Sequence, residues 1–455
     1  MQRSPVMTEC QHKRHTAECY TTRVRDLLLL GLNTREIYSA IYTVDGITHR
    51  IKYHKSITPK NRFTGSLLDS LHMGQRKLLI SEIMFLSNVL KSHDEHAIVV
   101  YPGSSPNNKL GILRDLFPNV TFLLIDPEEA IIHIDNKFTT HYADTTGGYV
   151  YLSYHNSSSK KVTREIVNYY NGESVVRCTK AEMSASISQE AIDYVFESDP
   201  KCFIIENFFD HELAAMIRSA MDRSGKNILF ISDIRTVGIL DEQCSKPSDS
   251  DVMFNAVQMF NWLREIQPIW SMVKFRPPYN DKRFPILWNH PLFQAELAMA
   301  LEPIRGIPGF DFHQHFRHHG CIAYFDNMTL NLQAHAGKSS TEVRAILSAD
   351  ALKLPLISYD SVVHEEKMQF YNKIFRTAIK SFNGLWETDP EACKAVGMDL
   401  CGDCSIEARA IEDYCAINPN ANPFEIIRRI SISTGRHLSN ATRNAKTEMA
   451  HGKLY

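Results

Sequence analysis

The stretch Ala97-Ile98-Val99-Val100-Tyr101-Pro102-Gly103-Ser104-Ser105-Pro106-Asn107 decides the fold, together with Thr121-Phe122-Leu123-Leu124-Ile125-Asp126 downstream of it. The first run is short and apolar and stops at Pro102-Gly103, which predicts a buried strand entering a tight loop. Leu110 to Phe117 reads as a helix, and the second apolar run predicts another buried strand that ends on an acid. Strand, glycine loop, helix, strand, acid is the opening of a nucleotide-binding α/β unit. Ligands of such sheets sit beyond the carboxyl ends of the strands, which puts Gly103 and its loop in position to meet one. A glycine there lets the backbone approach without a Cβ clash, and Asp126 can accept hydrogen bonds from two ribose hydroxyls. A plain strand–turn–helix with a helix-capping acid has the same string. The loop lacks both the GxGxxG of a dinucleotide site and the GK[ST] of a phosphate loop, which argues against NAD and ATP.

Upstream, Leu79, Ile83, Leu86 and Leu90 recur at spacings of four and three, so residues 74–91 are expected to form an amphipathic helix. Downstream, apolar runs at Cys202–Ile205 and Ile228–Ile231 predict two more buried strands, the second leading into Ser232-Asp233. Met253, Val257, Phe260 and Leu263 mark a helix over 252–266, and Ile269–Val273 is a strand that leads into Lys274. Strands alternating with helices predict a Rossmann-like α/β fold, a mostly parallel sheet covered on both faces. Residues 130–198, 283–328 and 381–415 interrupt the rhythm. The expected organisation is therefore an N-terminal arm over 1–65, a main domain over 66–380 with insertions near 130–198 and 283–328, and a C-terminal extension over 381–455.

With 44% hydrophobic and 22% charged residues among 455, the chain has the makings of a sizeable core. A net charge of −2 leaves no strong whole-molecule field, so a nucleic acid would have to be met by a local patch. Ten cysteines spread over the whole length do not make a disulfide framework. No signal-peptide pattern opens the chain, and the run Leu27–Leu32 is too short to span a bilayer. A reducing intracellular compartment without a membrane anchor is expected.

Several strings carry a specific likeness. Gly74-Gln75-Arg76-Lys77-Leu78-Leu79 with Glu82 and Phe85-Leu86-Ser87 opens the series. It continues in Tyr101-Pro102-Gly103-Ser104-Ser105-Pro106, Leu124-Ile125-Asp126 and Ile231-Ser232-Asp233-Ile234-Arg235. Lys274-Phe275-Arg276-Pro277-Pro278-Tyr279 and Ser340-Thr341-Glu342-Val343-Arg344 complete it. In this order the strings resemble the poxvirus-type cap-specific mRNA (nucleoside-2'-O-)-methyltransferases, which double as poly(A) polymerase stimulatory subunits. The likeness covers roughly residues 70–126 and 200–380. It implies a Rossmann-like methyltransferase fold, S-adenosylmethionine as cofactor, 5'-capped mRNA as substrate, and other capping or polyadenylation proteins as partners. A protist member would work in the nucleus, a viral one in the cytoplasm or virion.

The family's Lys-Asp-Lys-Glu tetrad falls on Lys77, Asp233, Lys274 and Glu342. A ribose hydroxyl is a poor nucleophile and needs a positioned base. A lysine can serve where burial and a neighbouring cation depress its pKa. The resemblance implies that role for Lys274, with Lys77 as the neighbouring cation and the two carboxylates orienting both amines. Any one of these residues alone would ordinarily be a surface salt bridge. Gln75, Gly103, Ser104, Pro106, Asp126, Asp233 and Arg235 match cofactor positions, and Phe209 takes the place of an adenine-packing residue. Asn107 replaces the loop's second glycine, and Pro127-Glu128 replaces a Gly-Arg pair. For a cationic alkylated guanine, read by stacking and carboxylates, the matching positions are Tyr279, Asp281 and Glu365. For the last, the plainer alternative is a solvated helix residue.

Cys393, Cys401, Cys404 and Cys415 form C-x7-C-x2-C-x10-C, which fits either structural zinc or four reduced thiols. His313, His315, His318 and His319 suit a metal site or, more simply, a solvated loop. Arg76, Arg344 and Lys367 are candidates for a phosphate patch. The leading expectation is 2'-O-methylation of capped RNA. The alternative is a non-catalytic capped-RNA-binding or polymerase-accessory subunit with the same fold.

Overall fold

The computed structural model describes residues 41–434 apart from 49, 51–66, 106–108, 128–131, 135–136, 140–148, 154–163, 170–173, 179–186, 200–201, 238–246, 279–289, 302–321, 326, 338–339, 355 and 377–382. The first apolar runs become α1 (Leu67–Val89), β1 (Ala97–Pro102), α2 (Leu110–Leu116) and β2 (Val120–Ile125). Next come β3 (Ile132–Ile134), β4 (Lys137–Thr139), β5 (Tyr149–Ser153), β6 (Arg164–Tyr169), β7 (Ser174–Cys178) and α3 (Gln189–Glu197). The centre of the chain supplies β8 (Cys202–Ile205), α4 (His211–Ser224), β9 (Ile228–Ser232), α5 (Asp249–Ile266), β10 (Trp270–Phe275) and α6 (Pro291–Leu301). After these come β11 (Ile322–Phe325), β12 (Thr329–Asn331), β13 (Val343–Ser348), β14 (Leu356–Tyr359) and α7 (Ser361–Phe370). The last described elements are α8 (Gly384–Thr388), α9 (Pro390–Ala395), α10 (Gly402–Ile417) and α11 (Pro423–Thr434).

Ten of these strands form one sheet in the order β12-β13-β10-β9-β1-β2-β8-β5-β6-β7. From β10 to β6 every neighbouring pair is parallel, a run of seven strands, and antiparallel strands flank it at both edges. The fold is Rossmann-like α/β, as the alternation of apolar runs predicts. In β2, β8 and β9 every residue is buried. Side chains alternate across a strand, so unbroken burial means that helices cover both faces.

Local chemistry ends the helices where the sheet needs them to end. Asp210 caps α4 by accepting from the Leu213 N–H, and Gly225 in the left-handed region stops it. Ser248 and Asp251 form a capping box at the start of α5.

Parts of the expected N-terminal arm and C-terminal extension pack against this core. Residues 41–48, placed in the N-terminal arm, run beside β12. The Val44 N–H donates to the Leu330 carbonyl at 2.9 Å, Leu332 N–H donates to Tyr42 at 2.8 Å, and Val44 and Ile47 are buried. Residues 384–434, placed in the C-terminal extension, supply α10 and α11, which pack on α1 and on each other. The 130–198 and 283–328 stretches contribute strands and helices of their own, including β5 and β6 of the parallel run. No helix among the described residues is long and apolar enough to cross a membrane.

Candidate active site

From β1 the chain builds β2, β5 to β7 and then β8 on one side of the sheet, and crosses to β9 and β10 on the other. β1 and β9 are therefore neighbours whose following loops diverge, and that switch point is where open α/β sheets hold ligands. Gly103 follows β1 with φ +75°, and a Cβ there would lie 2.6 Å from the Ile234 nitrogen. Only glycine lets the two loops pass so closely. Their contact is fixed by the Asp233 N–H donating to the Pro102 carbonyl at 3.3 Å. Ser104 is buried in the same loop, and the Ser105 N–H donates to the Asp126 carboxylate at 3.1 Å. Asp126 thus stands at the end of β2 facing the glycine loop.

The structure gathers the four residues of the Lys-Asp-Lys-Glu set. Lys77 comes from α1, Asp233 follows β9, Lys274 lies on β10 and Glu342 immediately precedes β13. The Lys77 amine is 2.6 Å from Glu342. The Lys274 amine is 3.2 Å from Asp233 and 3.8 Å from Glu342. Burial depresses the Lys274 pKa, and Arg235 and Arg344 add to that against the opposing pull of Asp233 and Glu342; the net is a value below the ordinary lysine range. Burial would raise Glu342, but Lys274 and Lys77 overcome it and hold the carboxyl down at about 2. Burial likewise works against the Asp233 charge, and Arg344, Lys274 and Lys77 outweigh it, leaving the group ionised.

Arg344 belongs to this cluster, and the sequence reading missed it. The phosphate-patch role expected for it does not fit, because its side chain is 1% exposed and 2.6 Å from Asp233. Its Nε donates to Gln333, whose amide in turn donates to the Glu342 carbonyl at 3.0 Å. The available signal was the i, i+2 spacing of Glu342 and Arg344, which puts both on one face of an extended segment. Arg76 is also no phosphate ligand. It is fully buried against Glu407 of α10 and bonded to Ser431 and Thr434 of α11. Lys367 is engaged with the Val44 carbonyl at 3.1 Å.

Behind the cluster, Lys109 reaches Glu82 at 2.8 Å, and the Tyr101 hydroxyl donates to the same carboxylate. Lys109 stands just before α2, so this buried group pins the far end of the glycine loop to α1. Burial and the negative charge of Glu82 push the Tyr101 hydroxyl well above its usual pKa, so it stays a donor.

The remaining expected residues fall into three groups. Gln75 Oε1 and Arg235 Nη2 are buried atoms without a hydrogen-bond partner among the described residues. Burial lowers the Arg235 pKa to about 10. Phe209 turns inward, edge-on to Trp262 at 4.9 Å and Phe230 at 6.0 Å, and is a core residue. Phe208, 65% exposed, is the ring on the surface beyond β8. Asp210 is committed to capping α4, and that fixes which phenylalanine points in. Pro106, Tyr279, Asp281 and the histidines of 313–319 lie outside the described residues.

Glu365 sits half-buried on α7, where burial first, then Glu366 and Asp249, raise its pKa. Its neighbour His364 is buried and ties α7 to the cluster. Its Nε2 donates to the Thr341 carbonyl at 2.8 Å, and the Tyr359 hydroxyl donates to its Nδ1 at 2.7 Å. Of the four cysteines, Cys401 and Cys404 meet with their sulfurs 3.4 Å apart and Asp399 beside them. Cys393 and Cys415 stay out of that group. Cys415 lies eleven residues beyond Cys404 on α10, about 16 Å along the axis at 1.5 Å per residue, so the expected four-cysteine set does not form.

Residues 37–148 match the family described as the poly A polymerase regulatory subunit. The match takes in α1, β1, the glycine loop and β2. No curated protein sequence matches the chain significantly.

Proposed function

We propose that the chain is an S-adenosylmethionine-dependent methyltransferase acting on the ribose 2'-hydroxyl of a nucleotide next to an mRNA cap. The observation that carries this is the Lys274 amine, held between Asp233 and Glu342 with a depressed pKa, beside the crevice between β1 and β9. The partial match to the polymerase-subunit family and the likeness of the motif strings support the same reading.

The residues present fit the cofactor. The orphaned Gln75 Oε1 and Arg235 Nη2 offer one acceptor and one donor beside the crevice, and Asp126 offers a carboxylate for a ribose. Gly103 and Ser104 would line it from the loop. S-adenosylmethionine bound there supplies an electrophilic sulfonium methyl group. Lys274, as the neutral amine, takes the proton from the 2'-hydroxyl while the oxygen is held in line. Lys77 pairs with Glu342 at 2.6 Å, while burial, Arg235 and Arg344 keep the Lys274 proton affinity low. Arg344 and Asp233 fix the amine's position from behind. Glu365 would accept from the N1 and N2 protons of the cap guanine.

The loop after β1 carries no GxGxxG glycine fingerprint. That disfavours a nicotinamide enzyme.

The test is methyl transfer to capped RNAs that each bear one unmodified ribose at a defined position. Transfer to one position by the wild type, reduced about 10²–10⁴-fold in Lys274→Met, is expected. No transfer to any substrate, with capped RNA still bound, would establish the accessory-subunit reading instead.

A further inference from the structure

We propose that Asp399, Cys401 and Cys404 form a metal site of the zinc class at the start of α10. The three ligand atoms lie within 4.8 Å of one another. Zinc is bound by cysteine sulfur at about 2.3 Å, which puts two sulfurs about 3.8 Å apart in a tetrahedral site. The observed 3.4 Å is near that and well beyond the ~2.05 Å of a disulfide.

Backbone amides point at both sulfurs. The Asp399 N–H donates to the Cys404 sulfur at 3.4 Å, and the Cys404 N–H donates to the Cys401 sulfur at 3.5 Å. Cys401 is the N-cap of α10 and Cys404 stands in its first turn, so both sulfurs sit at the helix start. The Cys401 N–H donates to Asp399 at 2.9 Å and so orients the carboxylate. Burial deepens from exposed Asp399 through half-buried Cys401 to buried Cys404, so an ion has a path in from solvent. Two thiolates and a carboxylate suit zinc better than calcium or magnesium, and water takes the fourth position. Binding releases two thiol protons.

The site would brace the molecule beneath the lysine cluster. Asp403, between the two cysteines, accepts from both Nε and Nη2 of Arg376 at 3.0 and 2.8 Å and from the His335 N–H at 2.8 Å. One turn on, Glu407 holds Arg76, the residue before Lys77. An ion at the first turn of α10 therefore fixes the end of the helix on which α1 rests. This inference does not depend on the proposed reaction.

The test uses the full chain, purified under reducing conditions and desalted, with metal content measured by plasma mass spectrometry. About one zinc per chain is expected, and cobalt substitution should give the sulfur-to-cobalt charge-transfer band. Cys401→Ser/Cys404→Ser should lose both, while Cys415→Ser retains them. Should the double variant fold poorly, titration of the wild type with a mercurial supplies a second readout, one zinc released for two thiols modified. Reduced wild type that takes up no zinc from micromolar free metal would overturn the proposal. So would metal content unchanged in the double variant, or a Cys401–Cys404 disulfide in place of bound metal.

Discussion

Lys274 and Arg344 face each other in register across β10 and β13, and both reach the same Asp233 oxygen, at 3.2 and 2.6 Å. Two like charges directly opposite on a sheet repel, so this pairing stands only because one carboxylate serves both. The proton affinity of Lys274 is thereby set by a balance that can be tipped either way.

Tipping it yields shifts of opposite sign. Glu342 raises the Lys274 pKa and Arg344 lowers it. Glu342→Gln should move the rising limb of the pH–rate profile about one unit toward acid, and Arg344→Gln should move it about one unit toward base. Measured profiles that shift in the same direction, or stay put, would remove Lys274 from the role of base.

Gly103 and Gly225 both occupy the left-handed region, yet their substitutions should differ. An alanine Cβ at 225 meets nothing within 4 Å, so Gly225→Ala should cost about 1 kcal/mol of stability and leave ligand binding intact. At 103 the Cβ would press on the Asp233–Ile234 backbone. Gly103→Ala should lower stability by about 2–4 kcal/mol and weaken S-adenosylhomocysteine binding at least about tenfold. Urea unfolding and calorimetric titration of the two variants decide it.

The Arg76–Glu407 pair is fully buried, so removing one partner strands a charge. Glu407→Gln should destabilise by about 3–5 kcal/mol, whereas Arg76→Met/Glu407→Leu should recover most of that. Equal unfolding midpoints for the single and double variants would contradict this account.

His364 should make the protein acid-sensitive. Burial, against the Thr341 hydrogen bond, lowers its pKa from 6.5 to about 4. The unfolded chain therefore binds a proton that the fold refuses. The contribution is complete above pH 6.5 and is lost as pH falls toward 4, up to about 3 kcal/mol. Guanidinium unfolding at pH 7.5 and 5 should show the loss in the wild type. In His364→Gln this share should be absent.

The apolar runs made β1, β2, β8, β9 and β10 legible because strands buried on both faces read as unbroken hydrophobic sequence. β12, three residues long with one of them buried, and β13, where Arg344 breaks the apolar sequence, gave no such run. Four site residues were found through matched strings, each within a few residues of a strand end or on α1. Arg344 was misassigned because its partners Asp233 and Gln333 are not visible as a pattern. Arg76 was read as a phosphate-patch candidate for the same reason, its carboxylate lying 331 residues away. That Phe209 turns inward follows from the capping of α4 by Asp210, which is not visible in the matched strings. The cysteine set failed on helix length, since spacing in sequence does not show that Cys404 and Cys415 share one straight α10.

Residues 41–48 lie along β12, and that has a consequence for handling the protein. A fragment that starts at the first helix would leave the backbone amides and carbonyls of β12 bare along a sheet margin. Such a margin recruits other chains. The place where the amino-acid pattern suggests trimming is thus the place where trimming invites aggregation, and shortened versions should keep everything from residue 41 onward.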